Sequence, residues 1–139
     1  MIIVIFRIGS QKYGLPVEFV MEVVRLPDLL ALADAPPSIC GLLNLRGNYL
    51  PVLHGRVLLQ ETLHYDINEQ IIIIGQEQAE FGLLVDEVRH VIALPVSTQI
   101  SLSGNKAAAF LKGVITTDYG SVLLLEPLVL QDLVPTVHA

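Results

Sequence analysis

Short apolar runs separated by turn-forming residues dominate this chain, and few stretches carry a helical period. Ile2–Ile8, Val17–Leu26, Leu42–Leu45, Tyr49–Leu53, Ile71–Ile74, Phe81–Val85, Val88–Leu94, Phe110–Thr116 and Ser121–Leu125 are rich in β-branched residues and bounded by Gly, Pro, Asn or Asp. They predict strands, and their regular punctuation predicts an all-β protein built as barrels or a sandwich. Helical signals are short. Asp28–Ala33 predicts about two turns before Pro36-Pro37, and Ser38–Cys40, Ala107–Leu111 and Leu128–Leu133 predict about one turn each.

The pattern repeats. Tyr13–Val24 lies without a gap against Phe81–Ile92, with Gly14/Gly82, Leu15/Leu83, Val17/Val85, Val20/Val88 and Val23/Val91 identical. Further on, Ile39-Cys-Gly-Leu-Leu43 matches Leu111-Lys-Gly-Val-Ile115. Two similar β units, at approximately 1–66 and 67–139, follow from this, with terminal strands open to exchange between them. No linker composition separates the units, so 1–139 reads as a single domain. Where the copies agree, the fold is the simplest cause. Gly14 with Gly82 and Gly41 with Gly113 predict either a positive φ or a close strand crossing. Where they differ in charge, the fold does not require the side chain. Arg46 faces Asp118, Asn44 faces Thr116, and Glu22 faces His90 in this comparison.

One run stands out, from Gly41 to Arg56. Two apolar stretches flank Asn44-Leu-Arg-Gly-Asn48, whose Asn and Gly tolerate turn geometry, so the run predicts strand, turn, strand. Arg46 then sits at a stiff hairpin tip. Guanidinium does not deprotonate near neutral pH, so a cation held there suits recognition better than proton transfer. The plain alternative is a surface or intramolecular ion pair.

Composition narrows the function classes. The chain has 139 residues, 53% hydrophobic and 16% charged, which is the profile of a packed domain and not of a disordered tail. Its net charge is −6, and residues 57–88 carry Glu61, Asp66, Glu69, Glu77, Glu80, Asp86 and Glu87 with no Lys or Arg. Such a field repels phosphate backbones, which argues against nucleic acid as a partner. With one cysteine, Cys40, there is no internal disulfide, and its apolar setting makes it a small core residue. The N-terminal run lacks a basic leader and a cleavage site, so it reads as a first strand. Apolar tracts are too short to span a bilayer, and a cytoplasmic location without membrane insertion follows as the expectation.

Candidate chemistry is sparse. His54, His64, His90 and His138 lack metal-ligand spacing, and no phosphate-cradling Gly-rich loop is present. Ser38, Ser97 and Ser101 have no nucleophile-elbow context. Asp86-Glu87 is an adjacent carboxylate pair whose side chains would point to opposite faces of a strand, and it reads as a solvated turn or edge feature. No catalytic residue, metal or cofactor is expected.

Tyr13-Gly-Leu-Pro-Val17 with Val20-Met-Glu-Val-Val-Arg25, and then Pro36-Pro-Ser-Ile-Cys-Gly-Leu-Leu-Asn-Leu-Arg-Gly-Asn-Tyr-Leu-Pro-Val-Leu53, resemble the CheW-type chemotaxis coupling proteins. Phe81–Val88 and Phe110–Ile115 continue the resemblance across almost the whole chain. It implies two SH3-like five-stranded β-barrels packed around a shared hydrophobic core, with short helical turns and no enzymatic activity. The implied function is an adaptor that couples the cytoplasmic tip of methyl-accepting chemoreceptors to the regulatory domain of a CheA-type histidine kinase. The implied location is at receptor arrays on the inner face of the membrane, through protein contacts. By position, Val20, Glu22, Asn44, Arg46 and Gly47 fall on the receptor side, and no residue is assigned to the kinase side. His54-Gly55-Arg56 departs from the Asp-Leu-Arg that the family usually carries. Two alternatives remain: an adaptor of a type IV pilus or gene-regulatory chemosensory system, and a small-ligand or peptide-binding double barrel without a kinase partner.

Overall fold

The computed structural model describes residues 1–25, 28–61, 68–76, 79–95 and 109–135. The chain runs β1 (Ile2–Ile8), β2 (Gln11–Pro16), a 3-10 turn at Val17–Phe19, β3 (Val20–Arg25), β4 (Ile39–Leu45), β5 (Asn48–His54) and α1 (Gly55–Leu58). It continues with β6 (Gln70–Gln76), β7 (Ala79–Val85), β8 (Glu87–Ala93), β9 (Leu111–Thr117), β10 (Gly120–Leu125) and α2 (Pro127–Gln131).

These strands form two five-stranded sheets, ordered β8-β1-β2-β10-β9 and β3-β6-β7-β5-β4. Each sheet mixes early and late strands in the same way. The antiparallel β1/β8 pair has its counterpart in β3/β6, and the parallel β2/β10 pair has its counterpart in β5/β7. The first two strands of each repeat therefore complete the sheet of the other. The 66/67 divide suggested by the sequence lies outside the described residues.

The apolar pattern follows from this arrangement. Ile71 and Ile73 of β6 face into one barrel with Leu43, Leu50, Val52 and Leu84, while Ile72 and Ile74 face the core between the sheets. A strand buried on both faces needs an unbroken apolar run, which is why Ile71–Ile74 does not alternate. On β1, Ile3 and Ile5 fill the other barrel with Ile115, Val122 and Leu124, whereas Phe6 and Ile8 join the shared core. Ordinary strand alternation puts the odd and even positions on these two faces, and the β1/β8 register shifts between Ile5 and Phe6. Burying one such side chain fully stabilises the fold by about 1.5–3 kcal/mol. The shared core is therefore the main reason that the two sheets do not separate.

Gly14 and Gly82 are explained by close crossing and not by a positive φ. Gly14 lies opposite Leu124, and Gly82 opposite Val52, each at a parallel pairing. A Cβ on Gly14 would stand 3.1 Å from Val122 Cγ1, and one on Gly82 only 2.8 Å from Ile71 Cγ2.

Several local expectations need correction. β2 is a strand although the pattern did not mark it, because Gly14 and Pro16 are strand breakers by propensity. Pairing with β1 and β10 overrides that propensity. Val17–Phe19 forms a 3-10 turn, so the strand expected from Val17 begins at Val20. Asp28–Ala33 is not helical: Leu30 bridges Leu42, exchanging backbone hydrogen bonds at 2.9 and 2.8 Å. Ile39 and Cys40 begin β4 instead of closing a helical turn. Of Ala107–Leu111, residues 107 and 108 lie outside the described residues, Ala109 and Phe110 are 3-10, and Leu111 opens β9. The turn expected near Leu128–Leu133 is α2, and Pro127 sits at its N-terminus, where a missing N–H costs nothing.

Candidate functional site

The β4–β5 hairpin closes in two residues, with Leu45 paired to Asn48. Arg46 has φ +50° and Gly47 φ +88°, which is the type I′ geometry that matches the twist of the flanking strands. Glycine takes that conformation freely, whereas an arginine there is uncommon. Asn44 Oδ1 accepts a hydrogen bond from the Gly47 N–H at 2.9 Å and braces the tip. This stiff turn fixes where the Arg46 side chain starts.

Its guanidinium meets Glu22 of β3. Arg46 Nη2 donates to Glu22 Oε2 at 2.6 Å and Nη1 to Oε1 at 3.5 Å. The Arg46 side chain is still 71% exposed, against 33% for Glu22, so the pair faces solvent and leaves the cation accessible. The hydrogen bond from Arg46 lowers the Glu22 pKa, and Glu22 raises that of Arg46, with Glu80 a weaker contributor. β3 and β4 stand at opposite ends of one sheet, so this bridge joins the two edges and marks where the sheet curls on itself.

Glu22, Asn44, Arg46 and Gly47 thus come together at one corner. Val20, the remaining candidate, is half-buried and packs against the shared core. Around the corner the structure adds Met21, Val23 and Tyr49, all exposed large apolar residues. Strand alternation carries the signal for Met21 and Val23, which flank Glu22 and point away from the core. Leu30, also exposed, had no such signal because its segment read as helical.

The equivalent corner of the other barrel uses different chemistry. His90 of β8 stacks on Tyr119 of the β9–β10 turn, with ring centroids 4.0 Å apart and planes 19° from parallel. There Gly120 takes the positive φ, at +100°, and Thr117 Oγ1 accepts from the Tyr119 N–H and donates to the Gly120 carbonyl, both at 3.0 Å. The same edge-to-edge closure is achieved without an ion pair.

Residues 3–133 match the family model of the CheW-like domain. The chain belongs to the CheW family. It is similar to the chemotaxis protein CheW of Klebsiella aerogenes, 33% identical over 65% of this chain and 55% of that protein. It is also similar to CheW of Treponema pallidum, 26% identical over 89% of this chain and 78% of that protein. Among solved structures it resembles the scaffolding protein TtCheW of Thermoanaerobacter tengcongensis, with TM-score 0.81 and 27% identity over 90% of this chain and 83% of that one. The double SH3-like barrel expected of a CheW fold accounts for the two five-stranded sheets.

Where the barrels of this CheW-like chain meet lies a second polar cluster, centred on Asp86. Its carboxylate accepts from Arg7 Nη1 at 3.0 Å, Arg56 Nε at 3.0 Å and the Gly9 N–H at 2.9 Å. Asp86 is 3% exposed, which corrects the expectation of a solvated carboxylate. Asp86 lies at the bend between β7 and β8, where Arg7 of the other sheet and Arg56 close over it and remove it from water. Arg7 comes from β1 and Arg56 from α1, so Asp86 ties the two sheets together. It also supplies a carboxylate for Arg56, although His54 stands where the family usually has Asp. Gly55 fits because a Cβ there would collide with the Leu84 carbonyl and stand 2.8 Å from Ile8 Cδ1. His54 is partly buried, its Nδ1 has no hydrogen-bond partner among the described residues, and burial lowers its pKa. Burial, then the charge of Glu69, pushes the Cys40 thiol up to about 12, so it stays protonated at neutral pH.

Proposed function

We propose that the chain is a non-catalytic adaptor that couples the cytoplasmic tip of chemoreceptors to a CheA-type kinase. The observation that carries this reading is the Arg46 corner, a solvent-facing cation on a type I′ turn braced by Asn44 and Glu22. Arg46 holds a preset direction, and the exposed Tyr49, paired with Asn44 beside the turn, offers apolar area for a receptor helix. Two barrels locked by one core and by Asp86 form a rigid body. A kinase bound elsewhere on that body would keep a constant placement relative to the receptor, so that receptor state biases kinase activity. On this reading the protein works in the cytoplasm, held at receptor arrays by protein contacts. Among the described residues no helix is long and apolar enough to cross a membrane.

Arg46→Glu separates the two interactions. Receptor-tip capture should fall by on the order of tenfold or more, as for truncation of an interface anchor. Binding to the kinase regulatory domain and the thermal midpoint should stay nearly constant. Equal loss of both interactions in paired pull-downs, with the variant still folded, would overturn the assignment of this corner to the receptor.

A further inference from the structure

His54-Gly55-Arg56 is the short link by which β5 passes into α1, and it lies against the junction between the barrels. His54 pairs with Leu84 of β7, and its N–H donates to the Ser38 carbonyl at 2.7 Å. Arg56 grips Asp86, which stands two residues beyond Leu84 and also accepts from Arg7 and the Gly9 N–H. Gly55 leaves the link little slack, since even a Cβ there would meet the Leu84 carbonyl and Ile8 Cδ1. One tight segment therefore carries an imidazole and the guanidinium that holds the two sheets together.

The imidazole is built to stay neutral in the closed link. Its Nδ1 is buried and has no hydrogen-bond partner among the described residues. In a neutral ring Nδ1 can remain a bare acceptor, whereas protonation makes it an N–H donor on a charged ring. Leaving a buried charged donor unsatisfied costs more than leaving a neutral acceptor so. Among the described residues the groups around the ring come from four places. Glu69 precedes β6, Arg56 lies on α1, Asp86 at the β7–β8 bend, and Cys40 of β4 shares the field of Glu69. Glu69 and Asp86 favour a cation, Arg56 opposes it, and burial opposes it most. Asp86 already serves Arg7 and Arg56, so a third cation gains little from it.

We propose that His54 is a proton-operated latch on the inter-barrel junction. With the imidazole neutral, the β5–α1 link stays closed and Arg56 stays on Asp86. With the imidazole protonated, the link opens to let the ring reach water, and Arg56 is drawn away from Asp86. The barrels then lose one of their polar ties while the shared apolar core holds. The latch does not depend on the adaptor reading, because its test involves neither receptor nor kinase.

The test is amide hydrogen exchange of the full chain between about pH 7.5 and about pH 5.5, which spans the ordinary imidazole pKa of about 6.5. Rates are corrected for the intrinsic effect of pH, and the His54 ring shifts are followed in the same samples. Gly9, whose N–H rests on Asp86, and Leu59, whose N–H closes α1 on Gly55, report the latch. Their protection should fall on the order of tenfold as the ring takes its proton, the effect of about one pKa unit, while Ile72 in β6 keeps its own. His54→Gln, neutral at every pH, should abolish the fall. The same fall in His54→Gln would overturn the latch, as would ring titration with unchanged protection at Gly9 and Leu59. An equal fall at Ile72 would overturn it as well, because the whole domain would then be opening. Should His54→Gln fail to fold, the native chain still decides: an exchange midpoint that differs from the ring midpoint would overturn the proposal.

Discussion

The two barrels close the same seam with different materials. In one, Arg46 at a hairpin tip reaches Glu22 on the far edge strand, while in the other Tyr119 stacks on His90. Because both seams hold, neither chemistry is required by the fold. The backbone frame is common, whereas the charge at the hairpin tip differs, Arg46 in one barrel and the exposed Asp118 in the other. The junction is equally one-sided. Asp86 corresponds in the repeat to Glu18, and only Asp86 is buried among arginines. The repeat forms a near-symmetric scaffold, and the asymmetry lies in side chains that the scaffold tolerates.

The largest expected break in that comparison is at the junction. Asp86→Ala removes the buried carboxylate that accepts from Arg7, Arg56 and the Gly9 N–H across the two sheets. Chemical denaturation should show a loss of about 3–5 kcal/mol, whereas Glu18→Ala should stay within about 0.5 kcal/mol. A similar loss in both would mean that the two halves are tied symmetrically. Next come the paired glycines. Gly82→Ala should cost about 1–3 kcal/mol by overpacking, and Gly14→Ala less, because its Cβ has 3.1 Å of clearance against 2.8 Å. The reverse order in urea titrations would contradict the packing account.

Smaller effects on stability separate the seams functionally. Arg46→Asn keeps a residue that tolerates positive φ and removes the charge, so the thermal midpoint should move little. Receptor capture should nevertheless drop on the order of tenfold, while Tyr119→Ala should leave capture unchanged. Loss of capture in both variants would place the receptor across the two barrels instead of at one.

The smallest effect concerns pH. The folded-state pKa of His54 is lowered chiefly by burial, with Glu69, Arg56 and Asp86 as the charges around it. As pH falls below about 6.5, the unfolded chain gains a proton before the folded one, so stability decreases until the folded pKa is passed. His54→Gln should flatten that part of the stability profile. The opposite limb comes from Tyr13, whose hydroxyl is pushed up to about 12 by burial and then by Glu61. Stability should decline as pH rises past about 10, because the unfolded chain releases that proton first.

Local chemistry was legible wherever it acts locally. Asn44 through Asn48 spells a turn, because Gly47 takes a positive φ freely and the Asn44 side chain braces the tip, although the other positive φ falls on Arg46. Chemistry that depends on distant strands was not legible. Glu22 and Arg46 are 24 residues apart and meet only because one sheet curls until its edges face each other. Asp86 looked solvated because a carboxylate at a bend is ordinarily exposed, and the chain neighbours do not reveal the distant arginines that cover it. β2 was hidden by Gly14 and Pro16, which look like breaks until β1 and β10 are seen on either side.

By itself the sequence determined the all-β class, the internal repeat, the buried apolar runs and the position of Arg46 at a turn. Each follows from propensities and periodicities that act within a few residues. Only the tertiary structure decided that the first strands of each repeat complete the other's sheet, that Glu22 clamps Arg46, and that arginines from both barrels surround Asp86. Those outcomes depend on pairings between distant segments, where burial and charge contact are set by the second barrel and not by chain neighbours.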